Sequence, residues 1–310
     1  MSAIILLIGK NGQVGAELQT FLPRLAQLVA VDRQQLDLSR PDQIRHTIDA
    51  IRPQIIVNAA AYTAVDKAET DEATARAINS DAPSVMAEAA KKIGAMLVHY
   101  STDYIFDGTK NSPYDESDPP NPLSVYGETK LAGEQAIRDS GVSHLILRTA
   151  WVYATRGRNF LLTILRLASQ REELRVVQDQ IGTPTWCREI ARATASILER
   201  FSKMSEAAIP TLPQLSGTYH MTASGTTSWF DFSQAILNEA YKAPDLPWLA
   251  AATNGSPLVA RRIVPIATSE YPTPARRPMY SVLSNQRLFR TFHIQLPDWR
   301  SQLHSAFAGP

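Results

Sequence analysis

The run AIILLIGKNGQVGAELQTF, residues 3–21, decides how the chain is read. Ala3–Ile8 is an unbroken apolar run of strand length and predicts a buried strand. From Gln13 onward Val14, Leu18 and Phe21 or Leu22 recur at helical spacing, which predicts a helix over Gln13–Phe21. Gly9, Gly12 and Gly15 stand at the junction. Glycines allow a tight turn and let a pyrophosphate approach the backbone, while the helix N-terminus supplies free N–H groups and partial positive charge. The spacing is G-x-x-G-x-x-G, not the commoner G-x-G-x-x-G. Lys10 precedes the second glycine and no Gly-Lys-Ser/Thr follows, so this is not a P-loop. An ordinary strand–helix turn uses the same glycines, so the surroundings must decide.

The surroundings repeat the pattern. Strands are predicted at Leu28–Val31, Ile55–Val57, Met96–Tyr100 and His144–Leu147. Between them lie a helix over Pro41–Ile51, for which Ser39 is a candidate cap, a long helical stretch with possible breaks over residues 66–93, and a helix in NPLSVYGETKLAGEQA, residues 121–136. Apolar strands alternating with helices predict an α/β fold of Rossmann type, a doubly wound parallel sheet covered on both faces. After Trp151 the rhythm changes. Helices are expected at Phe160–Ser169, Arg188–Phe201 and Trp229–Tyr241, and strands at Leu174–Val177 and Thr218–Met221. Prolines at 244, 247, 257, 265, 272, 274 and 278 then mark an irregular region. The expected organisation is a dinucleotide-binding domain over 1–150, with 187–222 packing back onto it. A smaller C-terminal substrate-binding lobe would be built from 151–186 and 223–310.

Composition narrows the class. In 310 residues, 31 Lys and Arg balance 30 Asp and Glu, so neither nucleic acid nor a charged tail is indicated. The apolar fraction of 44% supports a sizeable core. Cys187 is the only cysteine, which excludes an internal disulfide and fits a reducing cytoplasm. The six histidines lack metal-ligand spacing. Ala3–Ile8 is too short to span a membrane and lacks the features of a signal peptide, so no membrane association is expected.

Three groups of residues suggest chemistry. Asp32 ends the second strand, where a carboxylate can accept hydrogen bonds from an adenosine ribose; a plain turn residue is the alternative. Tyr126 and Lys130 lie four apart and share a helix face. A nearby ammonium favours a phenolate and should lower the tyrosine pKa, making the phenol a usable general acid. An exposed helix with an incidental pair is the competing reading. Ser101, Thr102 and Asp103 follow the fourth strand, where a hydroxyl can bond a reacting carbonyl or simply cap a helix. Together these groups gain weight. The glycine loop, Asp32, the small Asn58-Ala59-Ala60-Ala61 run, Thr102, and then Thr149 and Trp151 all fall at the carboxyl ends of successive strands, where open α/β sheets bind ligands.

These features resemble the extended short-chain dehydrogenase/reductases. GKNGQVGAEL, IIVNAAAYTAVDKAE, VHYSTDYIFDGT, PLSVYGETKLAGE, LRTAWVYA, DQIGTPT and YPTPARRP are similar to the dTDP-4-dehydrorhamnose reductase branch over residues 3 to 300. The resemblance implies NAD(P)H-dependent reduction of a C4 ketone on a dTDP-sugar, for bacterial surface polysaccharide. It implies Tyr126 as proton donor, Lys130 as the group that lowers its pKa and holds the nicotinamide ribose, and Thr102 as the group that orients the ketone. Gly12, Gln13 and Val14, within the Gly9–Gly15 loop, would hold the pyrophosphate, and Asp32, Asp37 and Leu38 the adenosine end. Ala61, Tyr62 and Thr63, beside Ala59, would line the cofactor, and Asp103 and Trp151 would touch the sugar.

Asp32 should repel a 2′-phosphate and Arg33 attract it, so both NADH and NADPH are expected to work, with a modest NADH preference if the carboxylate can swing away. Some relatives resembling this chain form dimers bridged by magnesium through acidic residues. Here Glu17 is present, but the helix after GTPT opens with Trp186, Cys187 and Arg188, and Arg192 follows. No metal is therefore expected, and the chain is read as a monomer or homodimer. A 4,6-dehydratase or 4-epimerase of the same fold is the nearest alternative, although Thr102-Asp103-Tyr104 lacks the Asp-Glu pair of a dehydratase. A non-catalytic cofactor-binding subunit, similar to the beta subunit of methionine adenosyltransferase, is a second.

Overall fold

The computed structural model describes residues 3–203 and 215–309. The domain ranges expected above also take in residues 1–2, 204–214 and 310, which lie outside the described residues.

The first half folds as five strands with helices between them. These are β1 (Ile4–Ile8), α1 (Gln13–Phe21), β2 (Gln27–Val31), α2 (Pro41–Ile51), β3 (Ile55–Asn58), α3 (Val65–Ala68), α4 (Glu72–Arg76), α5 (Ala82–Ile93), β4 (Met96–Thr102), α6 (Val125–Ser140) and β5 (His144–Thr149). The strand Gly217–His220 joins them on the edge beside β5. All six are parallel, and β1 sits between β2 and β3. The chain therefore builds outward on one side of β1, then crosses and builds on the other, and a ligand crevice forms where the winding reverses.

Neighbouring residues of each strand serve opposite faces, which is why the strands read as continuous apolar runs. Ile5 and Leu7 pack with Leu18 of α1 and with Ile190 and Ile197 of the helix Cys187–Lys203. Leu6 and Ile8 pack with Ile44 and Ile48 of α2 and Met86 of α5. A second core joins Leu161 and Leu165 of the helix Phe160–Ala168 to Phe232, Ile236, Trp299 and Leu303.

Three local readings are corrected and a fourth, the helical stretch with possible breaks, is made definite. Ser39 does not cap α2; the cap position is Arg40, and the Ser39 hydroxyl donates to Asp37 Oδ1 at 2.7 Å, a charged acceptor closer to hand than the helix end. The 66–93 stretch is three helices interrupted by a π-helical turn at Ala77–Asp81. β4 and β5 run on to Thr102 and Thr149, which pair with each other, so these residues end their strands rather than follow them. The proline-rich tail holds a strand, Arg262–Ile266, parallel to Glu173–Val177, and further helices at Pro247–Thr253, Gln286–Phe292 and Trp299–Ala308. Proline is tolerated in a strand of a two-stranded pair because one side of its backbone needs no partner.

Candidate active site

A cleft of about 680 Å³ runs along the carboxyl ends of the sheet. Gly9, Gly12, Gln13 and Val14 form its floor. Gly9 has φ +88°, and a Cβ there would lie 2.8 Å from the Ala60 nitrogen. Gly12 occupies the cap position of α1 with no side chain over the helix end. Gly15 lies beneath, where a Cβ would come within 2.1 Å of the Gly9 carbonyl oxygen. Each glycine thus has its own reason, and together they leave an open helix N-terminus that fits an anionic group.

Asp32, Arg33, Asp37 and Leu38 line the outer end. Asp32 is not free to swing. Its Oδ2 accepts from Asn11 Nδ2 at 3.1 Å and lies 3.4 Å from Lys10 Nζ, while its Oδ1 accepts from the Gln34 backbone N–H at 3.0 Å. Desolvation works to raise its carboxyl, but the Gln34 and Gln35 N–H groups and the Lys10 ammonium outweigh it and hold the carboxyl below its usual range. Asp37 accepts from the Ser39 hydroxyl and N–H, which likewise lower it.

The inner end is small-walled and buried. Ala59, Ala61, Tyr62 and Thr63 form one side. Asn79 fixes them: its Oδ1 accepts from the Tyr62 N–H at 2.8 Å and its Nδ2 donates to the Tyr62 carbonyl at 3.0 Å. Opposite stand Tyr126 and Lys130 on α6, 9% and 1% exposed. Ser124 caps this helix by accepting from the Gly127 N–H at 3.3 Å. Gly127 must be glycine because a Cβ would meet the Tyr104 carbonyl oxygen at 2.3 Å.

Lys130 donates to the Tyr100 carbonyl at 2.7 Å and meets His99 Nε2 at 3.1 Å. Burial lowers its pKa to about 8, against the pull of Glu134. The phenol of Tyr126 goes the other way from expectation: burial pushes it up to about 12, the Thr102 hydrogen bond opposes this, and the Asp103 carboxylate adds to it. The ammonium is engaged by the Tyr100 carbonyl, and the nearest carboxylate works against a phenolate.

Thr102, Asp103 and Trp151 do not line this cleft. Thr102 hydrogen-bonds the Tyr126 phenol, donates to Asp103 Oδ1 at 3.1 Å and accepts from the Tyr104 N–H. Asp103 is 1% exposed, with its carboxyl raised to about 6 by burial against hydrogen bonds from Ser281 and Thr102. Trp151 takes a left-handed φ of +48° and stacks on Trp229 with centroids 3.4 Å apart. Its indole lies on Gly182, where a Cβ would fall 2.3 Å from the ring, so this glycine of the DQIGTPT segment makes room for the stack.

Ser101 and Thr149, singled out at their strand ends in the sequence, close the inner end together with Tyr100 and Val152, and Arg156 and Arg158 line the cleft as well; these last four carry no local signal in the sequence. Thr149 Oγ1 is buried on this wall without a partner. Behind α6, the fully buried Glu134 takes Arg148 at 2.9 and 2.7 Å and Arg138 at 3.0 Å. Glu17 pairs with Arg188 at 3.2 Å and Arg156 at 3.3 Å. No group of three metal-ligating side chains occurs among the described residues, nor is any helix among them long and apolar enough to cross a membrane.

Comparison with known proteins agrees with this geometry. The family described as RmlD substrate binding domain matches residues 2–309. A dTDP-4-dehydrorhamnose reductase of Burkholderia thailandensis is 50% identical over 296 residues, 96% of this chain and 95% of that protein. That of Escherichia coli K12 is 45% identical over 301 residues, 96% and 94% of the two chains. The crystal structure of the Bacillus anthracis dTDP-4-dehydrorhamnose reductase in complex with NADP superposes with a TM-score of 0.86 at 34% identity, covering 99% of both chains. With a glycine-cradled cleft, a Tyr126–Lys130 pair on its inner wall and a match along almost its whole length, the chain belongs to the dTDP-4-dehydrorhamnose reductase family.

Proposed function

We infer that this chain catalyses the NAD(P)H-dependent reduction of the C4 ketone of dTDP-4-dehydro-L-rhamnose to dTDP-L-rhamnose, a precursor of bacterial surface polysaccharide. The observation that carries this is the pairing of Tyr126 and Lys130 on the wall of the glycine-cradled cleft, in a chain 50% identical to a protein named for that activity. NAD(P)H, when bound, supplies the hydride; everything else falls to side chains and backbone.

Gly9, Gly12, Gln13 and Val14 offer the α1 N-terminus to the pyrophosphate, with Gly15 packing the loop from below. Ala59, Ala61, Tyr62 and Thr63 leave width for flat rings, and Thr149 Oγ1 offers an unused hydroxyl. Tyr126, with a phenol near 12, is protonated at neutral pH and so carries the proton to be given to the ketone oxygen. Thr102 aligns that phenol, and its hydroxyl, turning from Asp103, bonds the oxygen as it gains negative charge. Lys130 holds the ribose and steadies the phenolate left behind. The lobe of 151–186 and 223–310 receives the dTDP-sugar, with Asp103 shaping the floor behind Thr102 and Trp151 bordering the sugar.

Both NADH and NADPH serve in this reading. Asp32 is engaged on both oxygens, and Lys10 and Arg33 offset its charge towards a 2′-phosphate. The protein works without a bridging metal, because Arg188 already occupies Glu17; unchanged activity and assembly after EDTA treatment is the expected result. The reducing cytoplasm suits the buried thiol of Cys187. The test of the function is consumption of NADPH or NADH with dTDP-4-dehydro-L-rhamnose and identification of the product. Stoichiometric dTDP-L-rhamnose is expected. Cofactor binding without turnover would overturn the reading in favour of a non-catalytic binding protein.

A further inference from the structure

Behind the cleft, two buried polar groups that the reaction above does not use lead to Lys130. Asn58 ends β3, His99 lies in the middle of β4, and Lys130 comes down from α6. All three are buried to within 1% exposure. His99 Nδ1 is 3.1 Å from Asn58 Nδ2, and His99 Nε2 is 3.1 Å from Lys130 Nζ.

The directions of these bonds can be worked out. The Ala60 backbone N–H donates to Asn58 Oδ1 at 3.2 Å, which fixes the amide with its NH₂ towards His99. Reversing the amide would set an NH₂ against that backbone N–H. Asn58 therefore donates, and His99 Nδ1 must accept. A neutral imidazole that accepts at Nδ1 carries its proton at Nε2. That N–H points at Lys130 Nζ, and an ammonium has no lone pair to receive it.

We propose that Asn58 and His99 are positioning residues for Lys130: together they present an N–H to its Nζ, a bond that only the neutral amine can accept, and so they favour the amine over the ammonium. The inference rests on the function proposed above for its kinetic consequence but not for its geometry. Other groups around the site are few. Glu134, one turn further along α6, favours the ammonium, and it is itself neutralised by Arg148 and Arg138. Tyr126 stands one turn back, with Asp103 beyond it. Desolvation and the nearby Lys130 charge keep His99 neutral, consistent with a single ring proton. A lysine whose proton is loosely held can change charge as the neighbouring phenol gives up its own, which one fixed as an ammonium cannot do.

The experiment has a spectroscopic arm and a kinetic arm. The spectroscopic arm records imidazole ¹⁵N shifts of the full chain labelled at histidine, with the His99 signal assigned by its absence in His99→Gln. The expected result is an unprotonated Nδ1 and a protonated Nε2 that do not titrate through neutral pH. A proton on Nδ1, or a doubly protonated ring, overturns the proposal.

The kinetic arm follows kcat/KM against pH. The alkaline limb should lie near 8, where Lys130 loses its proton. Asn58→Asp replaces the donor with an acceptor and turns the imidazole round, so the limb should move up by about one unit or more. His99→Leu should lose up to roughly a hundredfold in kcat/KM through a misplaced amine. His99→Gln, which can accept from Asn58 and donate to Lys130, should recover most of that loss. A folded, cofactor-binding His99→Leu with the wild-type rate and limb overturns the proposal. Absence of turnover in the wild type would overturn the proposed function and leave the tautomer result to decide this inference alone.

Discussion

The two ends of the cofactor cleft are built from similar materials and differ in how water reaches them. At the outer end Asp32 meets Lys10, with side chains 19% and 24% exposed, inside a ring of turn amides. At the inner end Lys130 meets His99 and Tyr100 in a site closed to solvent. Charge at the outer end is screened, so a pair there adjusts which ligand is preferred and changes little else. Burial at the inner end shifts proton affinities, with Lys130 lowered to about 8 and Tyr126 raised to about 12. Chemistry belongs where small displacements of groups matter most, and selectivity can be placed where they matter least.

The largest effect expected from breaking this contrast is at Tyr126. Without the phenol there is no proton to give, and Tyr126→Phe should lose about 10²–10⁴-fold in kcat while keeping cofactor affinity. The next is at Glu134, which supports α6 from behind. Glu134→Gln leaves the Arg148 guanidinium buried without its charge partner and should cost about 3–5 kcal/mol in denaturant unfolding. An unchanged midpoint would mean that this buried pair does not hold the inner end.

Trp151 sharpens the comparison because it belongs to neither end. Its stack on Trp229 is worth about 0.5–1.5 kcal/mol beyond burial, so Trp151→Ala should lower stability by at least that amount and raise the KM for the sugar nucleotide. Lost stability with an unaltered KM would leave Trp151 as packing only. The smallest effect is expected at the outer end. Lys10→Ala should move the NADPH-to-NADH ratio of kcat/KM towards NADH by roughly two- to fivefold, and Asp32→Asn should move it the other way. Both shifts should shrink in high salt. No shift in either variant would remove residues 10 and 32 from cofactor choice.

What could be read in the sequence was local. Ile4–Ile8, the glycine loop and α1 declare themselves because strand, turn and helix preferences act over a few residues, and the same holds for the other strands of the sheet. The Tyr126–Lys130 spacing is visible for the same reason, since both lie on one helix. The partners that give these residues their properties are not visible. His99 is 31 positions from Lys130, and Lys10 is 22 from Asp32; only the winding of the sheet brings each pair together. A local reading of Lys130 suggested that it would lower the Tyr126 pKa. Burial and Asp103 reverse the sign, and both are tertiary facts. The strand Arg262–Ile266 hid behind Pro265, because its partner Glu173–Val177 lies far away in the chain. Arg188 stood out in the sequence by its charge, but its partner Glu17, 171 positions away, is a tertiary fact.

The most direct test of the division between the two ends is kcat/KM with dTDP-4-dehydro-L-rhamnose, measured with NADPH and with NADH, in wild type, Tyr126→Phe and Lys10→Ala at one ionic strength. Tyr126→Phe should fall by about 10²–10⁴-fold with both cofactors alike, leaving their ratio unchanged, whereas Lys10→Ala should change the ratio and leave the better of the two rates within a few-fold of wild type. A Tyr126→Phe enzyme within a few-fold of wild type, or one that loses activity with only one cofactor, would contradict the account.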